Sequence, residues 1–161
     1  MSGHVASGCP LSNWGRAAAA VTGLAFAALL AVAASIQPDV RGYGSHEQLG
    51  MSPCGFQVMF QMPCPSCGAT TSFAHFVRGE WRHAARANTA GFAFAALCSL
   101  GAPWLAFSAA AGRLWRVDDP WRWLAIVVCG LVAVAMLQWL ARVSGAGVLR
   151  LPVSSVSFLQ G

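Results

Sequence analysis

Twenty consecutive uncharged, mostly apolar residues run from Ala17 to Ile36, and two further uncharged runs follow, Ala87–Gly112 and Trp123–Ala141. A hydrocarbon core roughly 30 Å thick is crossed by about 20 apolar residues of helix. In lipid every backbone polar group must be bonded within the segment, so helices are the spanning form these runs allow. Only 9% of the chain is charged against 57% hydrophobic, far from the quarter or so of charged residues in soluble domains. The expected fold is an all-α integral membrane protein with three transmembrane helices and a short, broken fourth helix. It divides into an N-terminal tail (1–16), a membrane domain (17–142) with a cysteine motif at 54–70, and a C-terminal tail (143–161). A secretory signal has a shorter apolar region followed by a cleavage site; Ala31-Val32-Ala33 looks cleavable, but the length of the run favours a retained span.

The net charge of +5 comes from ten arginines, no lysine and five acids. Arg16, Arg113, Arg116, Arg122 and Arg142 sit beside the apolar runs, where basic residues act as interfacial anchors and topology signals. The lipid bilayer is therefore the expected partner, with other membrane proteins, and nucleic acid is not. An arginine-only basic set in an Ala- and Gly-rich chain suggests a GC-rich bacterial genome and a multi-pass protein of the bacterial inner membrane. With three crossings and the amino terminus inside, four arginines lie inside and six outside. A fourth crossing through the short helix reverses that count, which the positive-inside rule prefers.

Between the first two spans the sequence changes character. Residues 37–50 are polar and Gly-containing, an exposed loop by composition. From Glu47 to Arg78 no formal charge occurs, and Pro53, Gly55, Pro63, Pro65 and Gly68 forbid one straight helix. Phe56, Val58, Met59, Phe60 and Met62 make the stretch too apolar for an aqueous loop, so it reads as a re-entrant or interfacial segment. Helical pattern resumes over Ser66–Val77, with His75 two turns in. Gly79 breaks it, and Glu80 precedes one long helix expected over Trp81–Ala111, with a basic first face (Arg82, His83, Arg86) and Pro103 inside. Asn88 stands at the mouth of the apolar run, as a cap or an interhelical hydrogen-bonding residue.

Cys54, Cys64 and Cys67 form the one group of thiols close in sequence. Cys98 and Cys129 lie within spans, where free Cys behaves as a small hydrophobe, and Cys9 lies in the tail. The motif Cys64-Pro65-Ser66-Cys67-Gly68 leaves three chemistries open. Two thiols two residues apart reach one zinc ion, with Cys54 as third ligand and His75 or His83 as fourth, although four-coordinate zinc wants a full set. The same pair at a helix start is poised for thiol–disulfide exchange, since a helix N-terminus lowers a thiol pKa. The third reading is a structural turn, with or without a disulfide, in which Thr70 caps the helix and Thr71 or Ser72 bonds back to the preceding turn. In all three, Pro63 and Pro65 force a turn, and Cys54 is expected to fold back beside Cys64 and Cys67 while His75 lies too deep to join them.

These residues carry a resemblance. Cys54, then Cys64-Pro65-x-Cys67-Gly68-x-Thr70, then Gly79-Glu80 and Asn88 resemble the bacterial membrane proteins of the domain of unknown function 2752 family, over about Cys54–Leu100. Thr71 stands where that family's pattern has Arg, and Thr89 where it has Pro. The resemblance implies a membrane helix opening near Asn88 and no activity. The expected function is a small accessory or structural membrane protein with a Cys54/Cys64/Cys67 cluster holding a disulfide or zinc. The alternative is a membrane thiol–disulfide oxidoreductase using Cys64 and Cys67.

Overall fold

The computed structural model describes residues 8–60 and 62–145; what the sequence suggests for residues 1–7 and for the tail beyond Gly145 lies outside them. Three helices are long and apolar enough to cross a membrane: α1 (Asn13–Ser35), α5 (Thr89–Ala111) and α6 (Pro120–Val143). Between α1 and α5 lie a 3-10 helix (Ser45–Leu49) and three short helices, α2 (Gly55–Phe60), α3 (Ala69–Val77) and α4 (Trp81–Ala87). Val21, Leu24, Leu100, Phe107, Leu124, Ile126, Val132 and Leu137 are exposed, and no residue of α6 is buried. That surface is untenable in water and fits lipid, whose tails match it. The chain is an all-α membrane protein.

Residues 8–12 are more ordered than composition suggests. A strand, β1 (Gly8–Pro10), pairs antiparallel with β2 (Arg113–Trp115), so Cys9 lies in a strand opposite Leu114 and not in a loose tail. Cys9 N–H also donates to the Val117 carbonyl at 2.9 Å. The helix then starts at Asn13, ahead of the apolar run, because the Ser12 hydroxyl caps it by accepting from Gly15 N–H at 3.2 Å.

α1 and α5 run antiparallel and make the closest helix pair. Gly23 sits where a Cβ would stand 3.3 Å from both the Ala102 carbonyl and the Leu105 side chain, so its missing side chain sets the approach. Phe26 meets Phe94 edge-on at 6.0 Å, and Phe94 meets Phe73 of α3 at 5.7 Å. Ala33, Phe73, Ala95 and Cys98 form the buried core of this junction, with Cys98 packed as a small hydrophobe.

The fourth crossing favoured by the arginine count is not made. The end of α1, the start of α5 and the end of α6 share one face: Arg78 donates to the Ile36 carbonyl at 2.7 Å, Thr89 N–H to the Gln138 side chain at 2.7 Å, and Arg142 to the Ala87 carbonyl at 2.6 Å. Residues 36–88 therefore leave and return on one side as a cap on the three spans. α3, at nine residues, rises only about 13 Å, under half of the bilayer core. Among the described residues five arginines lie on the cap face (Arg41, Arg78, Arg82, Arg86, Arg142) and four at the other end. So even a count fixes no orientation.

Three of these arginines do more than anchor. The last carbonyls of a helix have no intrahelical donor, and the guanidinium supplies one from elsewhere in the chain. Arg16 serves α5 at the Ala109 carbonyl (2.9 Å), Arg78 serves α1, and Arg142 serves α4.

Candidate functional site

The expected single helix Trp81–Ala111 is two helices, and the break is what builds the site. Asn88 is extended (φ −162°) and 1% exposed. Its carboxamide oxygen caps α5 by accepting from Gly91 N–H at 2.7 Å, and its NH2 donates to the Pro65 and Cys67 carbonyls at 3.2 and 3.1 Å. One buried side chain thus starts α5 and holds the cysteine turn. Arg142 adds a bond to the same Cys67 carbonyl at 3.2 Å, and Trp139 donates its indole N–H to the Pro63 carbonyl at 2.8 Å. Both come from α6, so the motif is fastened to the bundle on two sides.

Gly68 makes the turn possible. Its φ is +86°, and a Cβ there would stand 2.4 Å from the Ala87 carbonyl oxygen and 2.7 Å from that of Gly42. Gly68, and not Thr70, occupies the N-cap of α3, without a side-chain cap; Thr70 lies one residue inside the helix. Thr71 and Ser72 do not bond back to the preceding turn either. Thr71 Oγ1 meets the fully buried Ser45 hydroxyl at 2.8 Å, and Ser72 donates to the Ala84 and Asn88 carbonyls at 2.8 and 3.0 Å. The Ser45 contact draws the polar loop 37–50 onto the motif, where composition alone suggested exposure. Arg41 bonds both Asp39 (2.7 Å) and Glu47 (3.1 Å) within that loop, and its side-chain hydrogen bond holds the Asp39 carboxyl below its ordinary range against the opposing effect of burial.

The three sulfurs meet. Cys54 precedes α2, Cys64 and Cys67 follow it, and their Sγ atoms all lie within 4.8 Å of one another. Cys64 and Cys67 Sγ are 3.1 Å apart, and Cys64 N–H donates to Cys67 Sγ at 3.2 Å. All six cysteines in the structure are free thiols. His75 is not part of the group: it pairs with Glu80 and stacks on His83 at 5.5 Å between ring centres. Glu80 occupies the N-cap position of α4, but its carboxylate serves His75 and not the helix end. That hydrogen bond holds its pKa below the usual value. Gly79 turns the chain between α3 and α4. The exposed Arg82, His83 and Arg86 lie on the outer face of α4.

The cluster opens on a cavity of about 330 Å³ whose walls include all three cysteines with Tyr43, His46, Gln57 and Thr70. The two thiols of the pair differ. Burial pushes Cys67 up to about 12, with the neighbouring Cys64 adding to the shift. Burial also works against ionisation of Cys64, yet its hydrogen bonds with Ser66, Cys67 and Cys54 outweigh that and leave its pKa below the ordinary 9.0. In the metal-free, reduced protein, alkylation by iodoacetamide therefore begins at Cys64. Its rate rises at a lower pH than that of a free thiol, whereas Cys67 lags behind it and needs a higher pH to react. Peptide mapping across a pH series checks this, and equal reactivity of Cys64 and Cys67 would contradict it.

Fold and site together define a small helical membrane protein capped on one face by a three-cysteine turn. Residues 54–102, from the first cysteine of the cluster into α5, match the model of the family described as "Protein of unknown function (DUF2752)". No curated protein and no solved structure matches the chain. Arg142, Trp139 and Ser45, which hold the motif, lie outside the matched segment. In sequence the first two look like a span's last residues and the third like a loop serine.

Proposed function

We propose that this chain is a small multi-pass protein of the bacterial inner membrane. It acts as a non-enzymatic accessory to other membrane proteins, and its Cys54/Cys64/Cys67 site holds a zinc ion. The observation that carries the reading is the convergence of three sulfurs from both sides of α2 within 4.8 Å. Sulfurs bound to tetrahedral zinc at about 2.3 Å stand about 3.8 Å apart, a separation this group reaches with small movements. α2 buries none of its residues fully, and a shared ion would tie its two ends. The Cys64 N–H to Cys67 sulfur bond is the kind a thiolate ligand accepts. Retention of α1 is supported by its packing against α5 and by the Arg78 bonds at its end.

One observation favours the thiol–disulfide alternative: Cys64 and Cys67 Sγ stand 3.1 Å apart with Cys54 beside them. Closing that pair would pass two electrons and two protons to an oxidant such as oxidised glutathione. Alkylation of the purified protein followed by mass spectrometry separates the readings. The zinc reading expects all three thiols protected until a chelator is added, with reductant making no difference. Protection lifted by reductant alone, and set by the glutathione ratio, would move the assignment to redox chemistry. Free alkylation under every condition would overturn both.

A further inference from the structure

We propose that the ion held by Cys54, Cys64 and Cys67 keeps its fourth coordination position open to the adjoining cavity, and that it takes a low-molecular-weight thiol there. This rests on the metal reading above and adds a ligand to it. Among the described residues only three candidate ligand atoms gather at the site. Zinc that is closed for purely structural duty carries four protein ligands, whereas three leave one place for an outside donor. The histidines that sequence spacing offered as a fourth ligand stand elsewhere: His75 is engaged with Glu80, and neither it nor His83 lines the cavity.

The cavity identifies the donor's class. All three cysteines form part of its wall, so the vacant side of the ion faces a space of about 330 Å³. That volume suits a ligand from amino-acid to short-peptide size. Three thiolates more than neutralise a divalent ion, which leaves it a weak Lewis acid toward water or carbonyls and well matched to a soft sulfur donor. On the remaining walls the Glu47 carboxylate offers a partner for the amine of such a thiol, and Tyr43, His46, Gln57 and Thr70 offer hydroxyl, imidazole and amide partners for its carboxylate. In the exchange the metal–oxygen bond to a water breaks and a metal–sulfur bond forms. The thiol proton passes to the buffer, and nothing is oxidised.

The test is cobalt(II) loaded into the full chain in lipid nanodiscs, titrated with cysteine or glutathione and, as controls, serine and S-methylglutathione. The sulfur-to-cobalt charge-transfer band is expected to rise by about one third as three thiolates become four, to saturate, and to ignore both controls. A band indifferent to added thiol overturns the inference. If His46→Ala changes the spectrum before any thiol is added, His46 fills the fourth place: the inference then fails while the metal reading stands. Absence of any cobalt–thiolate band in the wild type overturns both.

Discussion

Replacing Gly68 by Ala is expected to cost about 3 kcal/mol or more. Left-handed backbone carries a penalty of about 1–2 kcal/mol for a residue with a Cβ. Here the Cβ would also be driven to 2.4 Å from the Ala87 carbonyl and 2.7 Å from that of Gly42. Both are backbone atoms, so α4 and the loop 37–50 must move away, adding about 1–3 kcal/mol of overpacking. Gly50 is the internal control: its φ is +77° but nothing lies within 4 Å of its Cβ position. Gly50→Ala should show the conformational penalty alone, about 1 kcal/mol. Thermal unfolding of both variants in one detergent measures the difference, and equal losses would mean that the close approach at Gly68 is not what holds the cap.

Asn88→Ala should be nearly as damaging. It removes the α5 cap, worth about 1 kcal/mol, and leaves the partly buried Pro65 carbonyl without its side-chain donor, at about 1 kcal/mol or more. The Cys67 carbonyl keeps Arg142. Asn88→Ser can restore the cap but cannot reach the cysteine turn, so it should recover about 1 kcal/mol and no more. The two variants share a second signature: with the turn loosened, Cys67 becomes open to alkylation in the metal-free protein. An Asn88→Ala protein that unfolds like the wild type would contradict the dual role given to this side chain.

The spans were legible because lipid asks for one property, a long uncharged run, that sequence displays directly. The folding back of Cys54 was legible for a local reason, since prolines at 63 and 65 bar helix and force a turn next to the thiols. Asn88 announced itself as a polar residue at the mouth of an apolar run. What stayed hidden depends on partners distant in sequence. Arg142 looks like any interfacial anchor until the end of α4 is seen beneath it. Ser45 reads as a loop residue because its partner, Thr71, is 26 positions away. The break between α4 and α5 was missed because both halves are good helix formers, and only the tertiary demands on Asn88 interrupt them. The arginine count failed for the same reason: Arg78 and Arg142 are spent on helix carbonyls, and that use is indifferent to the side of the membrane on which they lie.

The measurement that bears most directly on the central claim is the metal content and metal-edge X-ray absorption of the full chain, purified under reducing conditions into nanodiscs. One zinc per chain with three sulfur scatterers at about 2.3 Å is expected, with loss of that zinc in Cys54→Ser. A protein that retains no metal, or whose metal environment is unchanged by Cys54→Ser, would contradict it.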